Sequence, residues 1–493
     1  MVGRKKEIKE LNLLCDNQES SLVAIYGRRR IGKTYLVNYM FKEYRKECLF
    51  FDFTGTSDAR AEVQIKNFIE QIYEWFRAEP SQEIKEWSDA FRFLKRTIDE
   101  EIKKRGHKEK VIIFIDELPW IDPLEKAGFL EALGYFWNTY CEARKNVLMI
   151  LCGSNASWIK NKVLEDATGP LHNRITKKVP MLPFDLQETK EYLTKEKGFD
   201  IGEKLATDMY MVFGGVAKYL SYLDSKKTLS ENIDLLFFSL GGLMYSEYDK
   251  VFKSLFMNQT AFHKKVVDLL CKKRSGYTLT EVADELSITG GKIKATMDEL
   301  QQCGFIQGVT KHGMKTRETK YVIADPYILF HHKWVKELSM NDISQISSGY
   351  WRKQTQTHAY SIWRGFSFES VILSNMHLYL KAKGMSGTSA TYGYWSSAAR
   401  DKGESGAQID MVVDYGNNQF DIVECKYYGG EFEITKSYKE DLENKLLMFR
   451  RYGIKKKSSA ELRLVFVTSE GVKPNNNFHQ LNVESIVLED LVS

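Results

Sequence analysis

The sequence predicts an α/β protein of several domains, and three features support this prediction. The chain has 493 residues, more than one hydrophobic core usually holds, which suggests about three domains. Up to about residue 225, short apolar runs alternate with helix-compatible runs, the pattern of a parallel sheet covered by helices. Later stretches change first to short amphipathic helices and then to the alternation of β-hairpins. We expect a sheet domain at 1–185, a helical lid at 186–255, a winged helix at 256–335, a linker at 336–360 and an α/β domain at 361–493.

The composition is that of an ordinary globular protein, with 43% hydrophobic and 28% charged residues. A net charge of +5 is small for this length, so it permits nucleic-acid binding without arguing for it. The seven cysteines are scattered, with no Cys-x-x-Cys pair, which favours free thiols in a reducing compartment over a zinc site. The first residues lack the apolar core of a signal peptide, and no run is long enough to span a bilayer. We therefore expect a cytoplasmic protein without membrane contacts.

The stretch Gly27–Thr34 has the spacing G-x-x-x-x-G-K-[ST] between an apolar run, Leu22–Tyr26, and a helix-compatible run, Tyr35–Glu43. Its glycines let successive backbone N–H groups turn toward phosphate oxygens, at the positive end of the following helix. Lys33 can reach the β- and γ-phosphates, and the Thr34 hydroxyl can ligate Mg²⁺. The alternative is a basic surface loop. The predicted nucleotide contacts are Gly27, Arg28, Arg29, Arg30, Ile31, Gly32, Lys33 and Thr34.

Two further apolar runs end in polar residues that suit the same site. The run Val111–Ile115 is followed by Asp116, which can hold Mg²⁺ through water, and by Glu117, which can orient or deprotonate the attacking water. The run Val147–Asn155 carries Ser154 near its end, where a hydroxyl could contact the γ-phosphate. A strand that ends in solvated acids and a turn-forming Ser-Asn pair are the alternatives. Because parallel strands bind ligands at their carboxyl ends, we expect these side chains to meet.

Two basic residues after these strands are candidate sensors of the phosphates. Arg174, in Gly169–Glu188, is a candidate arginine finger, because a guanidinium spreads its charge over several phosphate oxygens. An ordinary surface arginine is the alternative. Lys218, in the glycine-marked helical stretch Val212–Leu220, is a candidate second sensor.

Residues 259–325 have the pattern of a winged helix-turn-helix, with three short amphipathic helices followed by a hairpin. The candidate recognition helix is Gly290–Leu300. The stretch Ala261–Asp325 holds 11 Lys and Arg against 8 Asp and Glu, a balance of 11 − 8 = +3, which supports DNA contact weakly. Winged helices also dock proteins, so a protein partner or a homo-oligomer formed through this module is the alternative.

The stretch Ala407–Tyr428 predicts a hairpin whose two strands meet at a Gly-Asn-Asn turn. If Tyr415 pairs with Gln419, Asp410 lies opposite Glu424, because both pairs of residue numbers have the same sum. Carboxylates of two directly opposite residues in an antiparallel pair lie only a few ångströms apart, which suits a divalent cation between them.

Two other charged residues can complete a metal-dependent hydrolytic site around this hairpin. Lys426 shares the face of Glu424 and can steady an attacked phosphodiester, and Glu369 is the one acid in the apolar helix Trp363–Leu373. The predicted metal ligands are thus Thr34 and Asp116 in the first domain and Glu369, Asp410 and Glu424 in the last. The alternative is a solvated hairpin with ordinary ion pairs.

Residues 1–225 resemble the archaeal-type ATPase family of the STAND/AAA+ group of P-loop NTPases. The matching motifs are GR-x-x-E at Gly3–Glu7, GRRRIGKT, IDELPW, CGSNASW, HNRITKKVPMLPF and FGGVAKYL. The stretch Val322–Val335 and the WRGFSFE and ID…ECK motifs resemble the usual C-terminal extension of that family, a PD-(D/E)xK nuclease-like domain. The resemblance implies an AAA+-like sheet with a helical lid and a restriction-endonuclease-like α/β domain. It also implies that Arg4 and Glu7 border the adenine, that Arg174 is the finger, and that Glu369, Asp410, Glu424 and Lys426 form the nuclease motif.

Together these patterns predict an ATP-hydrolysing, Mg²⁺-dependent protein with a metal-dependent DNA nuclease domain under the control of the ATP state. Two alternatives remain open. One is a nucleotide-gated switch whose nuclease-like domain does not cleave, and the other is an ATP-dependent DNA-binding regulator.

Overall fold

The computed structural model describes residues 1–106, 110–122, 127–256, 259–314, 318–400, 404–455 and 459–492. The chain divides into two compact units, Met1–Leu182 and Pro183–Ser493. The first unit corresponds to the predicted sheet domain, and the second contains all the later predicted segments. None of the described helices combines the length and the apolar character needed to cross a bilayer.

Five parallel strands form the sheet of the first unit, in the order β2-β3-β4-β1-β5. The central strands β3 and β4 are buried on both faces because helices cover both sides, as expected for a parallel sheet. β4 lies between β1 and β3, so their carboxyl ends meet at one edge. The strands are β1 (Ser21–Tyr26), β2 (Leu49–Thr54), β3 (Val111–Asp116), β4 (Val147–Gly153) and β5 (Lys177–Pro180).

The helices of this unit pack their apolar stripes on the two faces of the sheet, in two separate clusters. α4 ends where Gly106 takes a left-handed conformation, with φ of 62°, which a residue with a side chain adopts reluctantly. The helices are α1 (Lys5–Asp16), α2 (Lys33–Asn38), α3 (Ala61–Phe76), α4 (Trp87–Arg105), α5 (Leu118–Ile121), α6 (Phe129–Phe136), α7 (Glu142–Arg144) and α8 (Ala156–Ile159). π-helical turns extend α2, α6 and α8 over Tyr39–Tyr44, Trp137–Cys141 and Lys160–Leu164.

The second unit begins with helices whose starts are fixed by capping boxes, in which a side chain and a glutamate satisfy each other's backbone N–H groups. Asp185 with Glu188 starts α9, and Thr228 with Glu231 starts α12. Gly215 lets two chain segments touch, since a Cβ there would lie 1.8 Å from the carbonyl oxygen of Phe184. The helices are α9 (Leu186–Lys195), α10 (Glu203–Phe213), α11 (Ala217–Ser221), α12 (Leu229–Phe237) and α13 (Glu247–Phe256).

Three helices and three short antiparallel strands follow, here called the helix-hairpin module, residues 260–323. Their order agrees with the predicted helices and hairpin, and the hairpin tip at 315–317 lies outside the described residues. The strands pair in the order β6-β8-β7. The elements are α14 (Thr260–Leu270), β6 (Tyr277–Thr278), α15 (Leu279–Leu286), α16 (Gly290–Gln302), β7 (Ile306–Thr310) and β8 (Thr319–Ile323).

The predicted linker at 336–360 is held to the rest of the second unit at a few points, although most of its side chains are exposed or half-buried. It contains two short helices, and Trp351 is buried among other aromatic rings. The carboxylate of Asp234 accepts hydrogen bonds from the backbone N–H groups of Gly349 and Trp351 at 2.9 and 2.8 Å. The polar composition of this segment gave no sign of these contacts in the sequence. The helices of this region are α17 (Pro326–Trp334), α18 (Met340–Gln345) and α19 (Tyr350–Gln354).

The chain ends in a mixed five-stranded sheet with the order β13-β12-β11-β10-β9. β9 to β11 are antiparallel neighbours, whereas β11 to β13 run parallel, and apolar clusters cover both faces. The strands are β9 (Thr391–Ser397), β10 (Ala407–Asp414), β11 (Gln419–Lys426), β12 (Glu461–Thr468) and β13 (Val483–Val487). The helices are α20 (His358–Ser374), α21 (Met376–Ala382), α22 (Lys436–Tyr452), α23 (Asn476–Leu481) and α24 (Leu488–Val492).

Candidate functional site

The predicted phosphate loop turns sharply between β1 and α2. Gly27 has φ of +152°, and a Cβ there would lie 2.2 Å from the carbonyl oxygen of Met181, so the next strand leaves no room for a side chain. Arg30 and Gly32 both take positive φ values, 71° and 94°. Alternation of this kind turns successive N–H groups toward one concave side, as anion-binding loops require.

Lys33, the first residue of α2, folds back over the loop. Its Nζ donates hydrogen bonds to the carbonyl oxygens of Gly27 and Arg28, both at 2.8 Å, and its exposed fraction is 6%. The phosphate contact that the sequence predicts for this lysine stays a prediction, since the structure shows its ammonium group bonded to the loop's own carbonyl oxygens. The guanidinium of Arg29 lies 5.1 Å from the centroid of the Trp120 ring, which joins the loop to the segment after β3.

Two hydrogen bonds to Asp116 connect the loop to the acidic end of β3. The Thr34 hydroxyl donates to Asp116 Oδ2 at 2.5 Å, and the backbone N–H of Glu117 donates to Asp116 Oδ1 at 2.9 Å. Asp116 is buried, and Glu117 has φ of 46°, which bends the chain away from the strand. The hydroxyl of Thr34 and the carboxylate of Asp116 thus meet at one point, and such oxygens are the ligands that Mg²⁺ prefers.

Ser154, at the end of β4, holds the carboxylate of Glu117. Its hydroxyl donates to Glu117 Oε2 at 2.7 Å and its backbone N–H donates to the same oxygen at 3.2 Å. Asn155 instead caps α8, since its side chain accepts a hydrogen bond from the N–H of Trp158 at 3.0 Å. Ser154 therefore binds the carboxylate of Glu117, whereas Asn155 caps the helix that follows. Contact between Ser154 and a phosphate stays a prediction.

Arg4 secures the loop from the N-terminal side. It is 3% exposed and donates to the carbonyl oxygens of Ile31 at 2.9 Å and Leu182 at 2.7 Å. Glu7 lies 3.7 Å from the same guanidinium. Arg174, the candidate finger, is instead about 40% exposed on the surface of this unit, where Glu142 lies 3.6 Å away. Lys218 belongs to the second unit and lies over the ring of Tyr222.

Residues 1–223 match a family model described as an ATPase domain predominantly from Archaea. The N-terminal region is thus similar in sequence to an archaeal ATPase domain. An uncharacterized protein of Methanocaldococcus jannaschii is 26% identical over 374 residues, which cover 75% of this chain and 76% of that protein.

Two solved structures illustrate the likeness. The Walker-type ATPase of Pyrococcus abyssi has a TM-score of 0.45 and 19% identity, covering 66% of this chain and 95% of its own. The Cdc6 protein of Pyrobaculum aerophilum has a TM-score of 0.30 and 15% identity, covering 68% and 94%.

In the second unit, the C-terminal sheet holds the second set of predicted site residues. The hairpin register is confirmed, because Met411 pairs with Val423 and the N–H of Tyr415 donates to Gln419 O at 3.0 Å. The paired residues end at Met411 and Val423, and β10 has an irregularity between Ile409 and Val412, so the opposition of Asp410 and Glu424 stays a prediction.

Glu424 is buried among partners on α22. Tyr438 donates its hydroxyl to Glu424 Oε2 at 2.6 Å, Lys445 pairs with Oε1, and Lys426 lies 3.6 Å away. Burial opposes ionisation of this carboxyl, but Lys445 and Lys426 outweigh it and lower the pKa of Glu424. Tyr438 and Lys445 were not predicted, because the helix that carries them meets β11 only through the tertiary fold.

Glu369 and Asp410 face a different cation, Arg274, in the segment between α14 and β6. The Arg274 guanidinium pairs with Glu369 and lies 3.7 Å from Asp410 Oδ2. A cavity of about 600 Å³ is lined by these groups together with Glu424. Within the described residues, no group of three or more His, Cys, Asp and Glu is placed to hold a metal ion. The predicted triad of Glu369, Asp410 and Glu424 is therefore not assembled here, because lysines hold one member and an arginine the other two.

Proposed function

We propose that this protein binds ATP with Mg²⁺ and hydrolyses the nucleotide at the carboxyl ends of β1, β3 and β4. The observation that carries the proposal is the continuous hydrogen-bonded series Thr34–Asp116–Glu117–Ser154. It connects a phosphate-loop hydroxyl, a buried carboxylate and a second, oriented carboxylate at one sheet edge. The match of residues 1–223 to an ATPase domain model supports the same activity.

Each side chain has a distinct task in this proposal. Lys33 supplies positive charge to the β- and γ-phosphates, and the loop N–H groups bind the remaining oxygens. Thr34 and Asp116 would hold Mg²⁺, which when bound neutralises phosphate charge. Glu117, kept in position by Ser154, orients a water molecule and accepts its proton. Arg174 acts as a finger toward the phosphates of a neighbouring protomer, since its guanidinium is accessible at the surface.

The test separates nucleotide binding from turnover. Lys33→Ala should lose most ATP binding, whereas Glu117→Gln should keep ATP and hydrolyse it slowly, because an amide can position water but cannot take its proton. Lys66→Ala removes an exposed lysine from α3 and serves as the matched control. Normal ATP affinity and turnover in a folded Lys33→Ala variant would refute the assignment.

A second candidate function is metal-dependent hydrolysis of a DNA phosphodiester at the C-terminal sheet. The hairpin register, in which Met411 pairs with Val423 next to Asp410 and Glu424, favours it, as does Lys426 two residues further along β11. The helix-hairpin module would bind the duplex in the manner of a winged helix, through the exposed side of α16. The ATP state would then regulate access of the nuclease-like domain to DNA.

Plasmid and single-stranded DNA, incubated with Mg²⁺ or Mn²⁺ and with or without ATP, provide the test. Asp410→Asn should abolish cleavage and leave ATP hydrolysis and the melting temperature unchanged. Asp441→Asn, at an exposed acid of α22, is the matched control. If the wild-type protein cleaves neither substrate, the nuclease is withdrawn and an ATP-driven switch or DNA-binding regulator remains.

A further inference from the structure

Arg274 lies next to Glu369 and Asp410, two of the acidic residues that line the C-terminal cavity. Its Nη2 contacts Glu369 and is 3.7 Å from Asp410, while the carbon at its centre is 4.5 Å from the centroid of the Phe366 ring. The guanidinium thus has a carboxylate on two sides and an aromatic face on a third. This is the only cation that an ion pair connects to both acids among the described residues.

The helix-hairpin module that carries Arg274 is docked on the C-terminal sheet. The backbone N–H of His312 donates to Tyr394 O at 2.7 Å, and the side chain of Gln307 donates to the Tyr392 hydroxyl at 3.0 Å. A Cβ at Gly393 would lie 2.0 Å from the carbonyl oxygen of Thr310, so β9 approaches β7 as closely as a glycine allows. The module therefore presents Arg274 to the acids from a fixed direction.

We propose that Arg274 is an intramolecular lock on this site, its guanidinium occupying the place between Glu369 and Asp410 that a divalent cation needs. The inference rests on the proposed phosphodiester hydrolysis and concerns its regulation. The lock opens by rotation of the side chain, which is 42% exposed, without undocking the module. An incoming phosphodiester assists, because its negative charge attracts the guanidinium away from the two carboxylates.

Competition between the two cations makes the lock measurable without any cleavage assay. Removing a positive charge from two carboxylates strengthens their attraction for another cation, so Arg274→Gln should bind Mn²⁺ about tenfold more tightly than wild type. Binding is measured on the nucleotide-free full-length protein by electron paramagnetic resonance of free Mn²⁺. Adding Asp410→Asn to Arg274→Gln should cancel the gain. Lys272→Gln, two residues away at an exposed lysine lining the same cavity, should leave the affinity unchanged.

The cleavage assay with the same variants separates this inference from the proposed function. If Arg274→Gln binds Mn²⁺ more tightly but no variant cleaves DNA, the role of Arg274 is supported and the nuclease activity is refuted. Cleavage with an unchanged Mn²⁺ affinity in Arg274→Gln keeps the nuclease and overturns the lock. Weaker Mn²⁺ binding in Arg274→Gln also overturns it, since Arg274 would then support the site. If this variant does not fold, Arg274→Lys replaces it, with an expected gain of about threefold from the loss of the planar contact, and no gain refutes the lock.

Discussion

Removal of the Ser154 hydroxyl tests whether β4 positions the carboxylate of Glu117, the residue that we propose to activate water. In Ser154→Ala, Glu117 Oε2 loses the hydrogen bond of 2.7 Å and keeps the backbone N–H contact of 3.2 Å. Hydrogen bonds to charged groups contribute about 1.5–3 kcal/mol, and every 1.4 kcal/mol is about tenfold in rate. Because the backbone donor remains, we expect the lower end of that range, a loss of about tenfold in kcat.

The assay is steady-state ATP hydrolysis, with nucleotide affinity measured separately by titration. The affinity should stay within about twofold of wild type, since Ser154 acts on Glu117 rather than on the loop. Thr54→Ala removes an exposed hydroxyl at the end of β2 and should leave kcat unchanged. Combined with Glu117→Gln, Ser154→Ala should have almost no further effect, because the two residues act as a unit. An additive loss in the double variant, or a normal kcat in the single one, would refute the positioning role.

Two other predictions follow from the structure. If Arg174 is a finger for a neighbouring protomer, turnover per protomer should rise with protein concentration and Arg174→Ala should flatten the rise, whereas a concentration-independent rate that the variant leaves unchanged would contradict this role. Burial raises the pKa of Asp208 from 3.8 to about 6, although Tyr427 and Arg364 oppose the shift. The folded state then binds more protons than the unfolded chain between these values, so stability falls as pH rises from about 4 to 6. Asp208→Asn should therefore raise the melting temperature at pH 8, with a gain in the free energy of unfolding of about 2–3 kcal/mol. Near pH 4 the substitution should have little effect. The same gain at both pH values would exclude titration of Asp208 as the cause.

The parts of the fold that the sequence predicts are those with local signals. β1, β3 and β4 are continuous apolar runs, and the phosphate loop combines its glycine spacing with a flanking strand and helix. The hairpin register followed from its turn, where Asn417 and Asn418 both take positive φ. Such positions favour asparagine and glycine, so the turn fixes which residues face each other.

The features that the sequence did not predict have weak local signals or depend on residues elsewhere in the chain. β5 is Lys177–Pro180, in which Val179 is the one buried residue. Because it has no apolar run, the sequence pattern does not predict a strand there. The start of α19 is held by Asp234, more than a hundred residues earlier. Tertiary contacts also decide the partners of the acidic residues, because Arg274 and Lys445 reach Glu369 and Glu424 from other elements.

The surroundings of the acids assign them different chemistry. Glu117 accepts hydrogen bonds from the hydroxyl and the N–H of Ser154, neutral donors that orient its carboxylate without neutralising its charge. Glu424 lies between Lys445 and Lys426, which lower its pKa despite its burial. A carboxylate with a lowered pKa is a poor proton acceptor near neutral pH, so Glu424 suits an electrostatic role. Asp410, whose side chain is 58% exposed, lies 3.7 Å from Arg274, the contact that we propose to regulate the second site.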